Sequence, residues 1–274
     1  MDAPIDPDTA WAAFVARDRA WDGRFVVAVR STLIYCKPSC AARRPRRDNV
    51  RFLADAAAAR AAGYRACRRC LPDSVARDRA AVVQAAALIA DDATCPPLAS
   101  LAAAVGYAPH HFHRLFRRLT GVTPAALART HRADRALAAL RATASVTAAI
   151  YDAGYAAPSR FYVDAARLGM TPHTAAAGGA GEGIGWVALA APPGTLLMAA
   201  TARGWCRFAF EDDDAGLRTA FPAATLHPGT ASLHARAAAL VAATGAIATD
   251  ASLPLALRRV AFRTLLHAAA ARCG

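Results

Sequence analysis

Apolar positions along this chain change their spacing twice. Near the N-terminus they form short runs. Phe25-Val26-Val27-Ala28-Val29 and Thr32-Leu33-Ile34-Tyr35 predict two strands, and Asp55 to Ala62 predicts a helix ended by Gly63. Further on the spacing turns helical. Helices are predicted over Arg79 to Asp91, Leu98 to Val105, His110 to Leu119, Val146 to Asp152 and Ser159 to Arg167, with Cys95-Pro96-Pro97 breaking off the first. Two turns, Gly106-Tyr107-Ala108-Pro109 and Gly154-Tyr155-Ala156-Ala157-Pro158, each precede a helix that closes on Gly-x-Thr-Pro, at Gly121 to Pro124 and Gly169 to Pro172. This repeat predicts a duplicated helix-turn-helix. A Gly/Ala-rich stretch from Ala175 to Gly185 reads as a linker. Beyond it, strands are predicted at Trp186–Ala190, Leu196–Ala200 and Cys206–Phe210, then a helix after Asp212-Asp213-Asp214, whose acids suit a helix N-terminus.

The pattern predicts a multidomain α+β protein. A small α/β unit, expected to bind zinc, occupies 1–75, and an all-α double helix-turn-helix occupies 76–178. A linker is expected over 179–185, and an α+β segment over 186–274. A unit of about eighty residues has a marginal apolar core, so the first one stands to gain from a metal.

Charge narrows the partner. Lys+Arg number 33 against 20 Asp+Glu, a formal net charge of +13, and Lys37 is the only lysine. Such an excess favours a polyanion, with nucleic acid ahead of a membrane surface. No apolar run of spanning length is free of charges. Met1-Asp2-Ala3-Pro4 is acidic and starts no signal-peptide core. Seven cysteines, an odd number, suit a reducing cytoplasm better than a disulfide scaffold.

Four of those cysteines form two close pairs, Cys36-Lys37-Pro38-Ser39-Cys40 and Cys67-Arg68-Arg69-Cys70. The spacing matches a tetrahedral four-cysteine zinc site. Four thiolates on one Zn²⁺ leave a formal charge of 2−, and a zinc-bound thiolate remains a nucleophile. On spacing alone a purely structural site is the alternative. The run Arg43-Arg44-Pro45-Arg46-Arg47 follows directly, and its arginines are candidates for DNA phosphate contact, joined by Arg65, Arg68 and Arg69; a solvated basic loop is the other reading. On the first presumed recognition helix, His111, His113, Arg114 and Arg117 are candidates for DNA contact, with Phe112, Leu115, Phe116 and Leu119 as its buried stripe. Arg160 is the candidate on the second.

These motifs resemble the bacterial adaptive-response Ada family. Val29-Arg30-Ser31-Thr32 through Arg43, Asn49-Val50-Arg51-Phe52 and Ala61 to Asp73 look like its zinc-domain signature. The double helix-turn-helix looks like its AraC-type module. Trp186 to Gly274 is similar to the front of its alkylguanine-DNA methyltransferase domain, a ribonuclease-H-like fold, through Arg203-Gly204, Asp212 to Ala215 and Leu253-Pro254-Leu255. The resemblance implies a DNA alkylation-damage sensor and transcription activator, and a single-turnover methyltransferase. Cys36 would be both zinc ligand and irreversible methyl acceptor from DNA methylphosphotriesters, with Cys40, Cys67 and Cys70 as supporting ligands. Double-stranded DNA and RNA polymerase are the implied partners. Methylation would take the site from 2− to 1− and raise promoter affinity. An AraC-type regulator with a structural zinc site is the alternative.

The chain departs from the family in two places. From Gly154 to Pro172 it is one residue short of the usual spacing, and the second recognition helix carries few basic residues, so weak DNA binding is expected there. No Pro-Cys-His-Arg acceptor motif occurs in the 274 residues, so guanine repair is not expected. Cys206 reads as packing, and Cys273 falls where the family has a Pro-Cys-Gly that is not the acceptor. The segment 186–274, read as a front part without its partner, is expected to expose apolar surface.

Overall fold

The computed structural model describes residues 5–92, 96–142, 146–245 and 250–273. Met1–Pro4, Cys95 and the Cys273 side chain lie outside the description. The chain divides into two compact units, 1–81 and 82–274.

In the first unit, α1 (Pro7–Ala16) starts on Asp6, whose carboxylate caps the Thr9 N–H, with Pro7 in the first turn. Four short strands follow: β1 (Val26–Val29), β2 (Ile34–Cys36), β3 (Val50–Leu53) and β4 (Arg65–Ala66). Between the last two lies α2 (Ala56–Ala61), capped by Asp55. The sheet order is β3-β1-β2-β4, with β2 and β4 parallel and the other pairs antiparallel. Alternation along β1 divides two small cores. Phe25 and Val27 pack with Ala10, Ala13 and Phe14, whereas Val26 and Ala28 pack with Tyr35, Ala59 and Tyr64.

Gly23 holds the approach to β1. Its φ is +81°, and a Cβ there would run into Arg79 and come within 2.8 Å of Val75 Cγ1. Gly23→Ala should therefore destabilise this unit by about 1–3 kcal/mol, read as a lowered melting temperature. An unchanged melting temperature would show that the contact yields freely.

Helix α3 (Ser74–Asp91) is longer than its pattern suggested. Then come α4 (Leu98–Ala104) and α5 (Pro109–Thr120), α6 (Pro124–Ala142), and α7 (Val146–Asp152) with α8 (Pro158–Ala165). The two expected turns contain Gly106 and Gly154, both at positive φ. Helix α8 gives way to a 3-10 turn at Ala166–Leu168 before Gly169, so the second repeat ends in a tighter coil than the first. Helix α9 (Pro172–Ala176) is capped by Thr171.

The second sheet contains β5 (Gly183–Ala191), β6 (Gly194–Thr201), β7 (Gly204–Phe210) and, after α10 (Asp214–Ala220), β8 (Thr225–Pro228). Its order is β7-β6-β5-β8, with β8 parallel to β5. Strand β5 thus begins at Gly183, inside the stretch expected as a linker. Upstream of it the Ala223 N–H donates to the Gly178 carbonyl at 3.0 Å. Helices α11 (Ala231–Gly245) and α12 (Leu255–Cys273) complete the chain.

The expectation of exposed apolar surface on this segment is overturned. Central strand β6 is buried on both faces. Leu197 and Ala199 share a core with Leu140, Ile150, Phe161 and Met170 of the helical region. Leu196, Met198 and Ala200 face Leu233, Leu240, Phe262 and Leu266 of α11 and α12. Helix α12 also sends Ala261 and Leu265 into the core of the first helix-turn-helix, beside Phe112 and Phe116. Thr264 Oγ1 donates to Thr130 Oγ1 at 2.9 Å, and Arg263 pairs with Asp134. The helices and the sheet therefore share cores, which is why residues 82–274 form one unit.

Candidate metal centre and candidate DNA contacts

The parallel pairing of β2 with β4 brings the cysteine pairs together. Tyr35 lies opposite Ala66, so the next residues in each strand direction, Cys36 and Cys67, emerge at the same sheet end. The Cys67 N–H donates to the Tyr35 carbonyl at 2.9 Å and fixes that register. The four Sγ atoms of Cys36, Cys40, Cys67 and Cys70 all lie within 4.8 Å of one another. Cys36, Cys40 and Cys67 are buried, and Cys70 is half-buried.

Two polar devices hold the loops, and neither was visible in the sequence. Asp22 accepts from the Ser39 N–H at 3.1 Å and the Ser39 hydroxyl at 2.6 Å, clamping the loop between the first two cysteines. Its own carbonyl accepts from Arg79. Asp73, three residues after Cys70, accepts from the buried Tyr35 hydroxyl at 2.6 Å and from Arg60 at 3.1 Å. Burial is the main reason the Tyr35 hydroxyl is raised above its ordinary range.

The sulfur cluster demands a cation. Hydrogen bonding to Cys70, then burial and the other sulfurs, pushes the Cys36 thiol well above the usual range; that same hydrogen bond is the main cause lowering Cys70 to about 6. Burial is the leading cause that raises Cys40. Four thiolates in this small, largely buried volume cannot coexist without a positive ion, so the donor set fits Zn²⁺. Chelating the metal should lower the thermal stability of residues 5–81 and release one zinc per chain, read by circular dichroism and a colorimetric zinc assay. A chain that keeps its stability without metal would contradict this.

The sulfurs differ in their donors. Cys70 Sγ accepts the Lys37 backbone N–H at 3.3 Å, and the Ala42 backbone N–H lowers Cys40. Among the described residues no backbone N–H donates to Cys36 Sγ.

The basic run is divided. Arg47 pairs with Asp8 at 2.9 Å, donates to the Pro7 carbonyl at 3.1 Å and lies over Trp11. Arg44 donates to the Val15 carbonyl. Arg43 and Arg46 are exposed, and no described group engages their guanidinium groups. Arg65, Arg68 and Arg69 are exposed as well, and Arg69 donates to the Ala41 carbonyl at 3.4 Å.

On α5, Phe112, Leu115 and Phe116 are buried and Leu119 half-buried, as expected. His111, Arg114 and Arg117 are exposed, while His113 is half-buried. The His111 ring packs on Tyr107, 5.4 Å between centroids. On α8, Arg160 is exposed, but so are Tyr162 at 58% and Val163 at 76%. The exposed face of α8 thus mixes Ser159 and Arg160 with Tyr162 and Val163.

Burial of Cys206 pushes its thiol up to about 12, which leaves it inert at neutral pH. No described helix is long and apolar enough to cross a membrane.

Sequence comparison agrees with this geometry. The family profile "Metal binding domain of Ada" matches residues 9–73, and a "Helix-turn-helix domain" profile matches 101–177. The chain is 38% identical over 263 residues to "Regulatory protein ada" of Salmonella typhimurium, covering 93% of this chain and 74% of that one. It is 36% identical over 266 residues to the "Bifunctional transcriptional activator/DNA repair enzyme Ada" of Escherichia coli, covering 94% and 75%. A solved "methylated N-ADA/DNA complex" is 42% identical, covers 47% of this chain and 99% of its own, and has a TM-score of 0.36. With its zinc site and double helix-turn-helix in place, the chain belongs to the Ada family of transcriptional activators and DNA repair proteins.

Proposed function

We propose that this protein senses methylphosphotriesters in double-stranded DNA by taking their methyl group onto Cys36, once and irreversibly, and then activates transcription in the cytoplasm together with RNA polymerase. The observation that carries this reading is the convergence of four cysteine sulfurs within 4.8 Å, with exposed Arg43 and Arg46 following Cys40 in the sequence. When bound, zinc keeps the four sulfurs deprotonated at neutral pH. The Cys36 thiolate attacks the methyl carbon in line with the ester oxygen. The S–C bond forms, the C–O bond breaks, and the electron pair stays on oxygen, leaving an ordinary phosphodiester anion. No proton moves, so no separate base is needed.

The donor pattern sets Cys36 apart from Cys40 and Cys70; the choice of Cys36 over Cys67 rests on its place as the first cysteine of the Ada-like signature. A sulfur that accepts an N–H has part of its electron density engaged, as Cys40 and Cys70 do. Arg43 and Arg46 hold the flanking phosphates. On the helix-turn-helix unit, His111, Arg114 and Arg117 of α5 contact promoter DNA, with a smaller contribution from Arg160. Guanine repair lies outside the proposal, because these 274 residues contain no Pro-Cys-His-Arg.

DNA carrying labelled methylphosphotriesters tests the reading. Uptake should stop at one methyl per chain with no turnover. No uptake would instead support a regulator with a structural zinc site.

A further inference from the structure

Of the 33 basic residues other than histidine, Lys37 alone is lysine, and it follows Cys36 directly. A chain that uses arginine everywhere else has an ammonium at the one position next to the reactive sulfur. The backbone there is fixed on both sides. The Lys37 N–H donates to Cys70 Sγ at 3.3 Å, and the Lys37 carbonyl accepts the Cys40 N–H at 3.1 Å. Pro38 follows and restricts Lys37 to extended backbone. The root of the side chain is thereby held among the sulfurs, on a flexible four-carbon stem.

We infer that the Lys37 ammonium is a catalytic residue of the methyl transfer, stabilising the negative charge that develops on the departing phosphate oxygen. This rests on the reading of Cys36 as methyl acceptor. A methylphosphotriester is neutral and offers one unesterified oxygen. An arginine fork is matched to two oxygens, as on the ordinary phosphodiesters that Arg43 and Arg46 would hold. An ammonium is a point charge and suits a single oxygen. As the C–O bond breaks, its electron pair passes to the phosphate, and a neighbouring cation stabilises that charge more than it stabilises the neutral ester. The same cation offsets part of the charge of the thiolate cluster while anionic DNA approaches.

The test compares Lys37→Gln with the unaltered protein, both zinc-loaded, on two methyl donors. One is DNA bearing a single methylphosphotriester, at saturating concentration in single-turnover mode. The other is methyl iodide, which has no phosphate. The DNA reaction should slow on the order of a hundredfold, while alkylation by methyl iodide changes by less than about threefold, since it reports only the sulfur. Lys37→Arg should fall between the two on DNA. Parallel losses on both donors would place Lys37 in the structure of the sulfur cluster and overturn the inference. An unchanged DNA rate would also overturn it. If the unaltered protein is alkylated by methyl iodide but takes nothing from DNA, the failure belongs to the proposed function instead.

Discussion

Cys36→Ser should lose methyl uptake from DNA by at least about 10³-fold, the scale on which removal of a nucleophile acts. A serine hydroxyl holds its proton far more tightly than a thiol, and the site has no base to remove it. The variant should still fold, since Cys40, Cys67 and Cys70 remain and the Tyr35–Asp73–Arg60 and Asp22–Ser39 contacts are untouched. Cys206 cannot substitute, being buried with its thiol pushed up to about 12. Rapid-quench uptake of label, with circular dichroism to check folding, measures the effect. A Cys36→Ser protein that takes up label stoichiometrically would place the acceptor elsewhere.

Methylation of the cluster should also tighten DNA binding, by at most on the order of a hundredfold. Converting one thiolate to a thioether takes the site from 2− to 1−. At roughly 5–7 Å from a phosphate, with an effective dielectric of about 20, one unit of like charge costs about 2–3 kcal/mol. The gain should shrink as salt rises, because screening weakens the repulsion being removed. Fluorescence titrations of methylated and unmethylated protein at low and physiological salt would measure it. Equal affinities at low salt would exclude an electrostatic switch.

The parts of this molecule legible in its sequence were those coded locally. Two cysteine pairs announce a metal site because the ligands within each pair are close neighbours. The repeated Gly-Tyr to Thr-Pro units announce paired helix-turn-helices because the turn needs that chemistry at each copy. What brings the cysteine pairs together was not legible. Strand β4 has two residues, too few to leave a pattern, yet its parallel pairing with β2 sets the site. The Asp22 clamp spans 17 residues and left no local trace. Helix α1 carries a start signal in Asp6-Pro7 but little apolar periodicity, and α6 carries no clear apolar stripe because its alanines are interspersed with arginines.

The C-terminal segment misled for a different reason. Read as a front part without its partner half, the segment is expected to leave apolar surface uncovered. The run Leu196-Leu197-Met198-Ala199-Ala200 is instead apolar at successive positions, the mark of a strand covered on both sides. Its second cover comes from the helix-turn-helix region itself.

Peptide mapping by mass spectrometry, after incubation with methylphosphotriester DNA, tests the central claim most directly. The account requires Cys36 itself to gain the mass of one methylene, placed by fragment-ion sequencing within the peptide it shares with Cys40 and in proportion to phosphotriester consumed, with Cys40, Cys67, Cys70 and Cys206 unmodified. A methyl group found on any other cysteine, or consumption of phosphotriester with none retained on the protein, would contradict it.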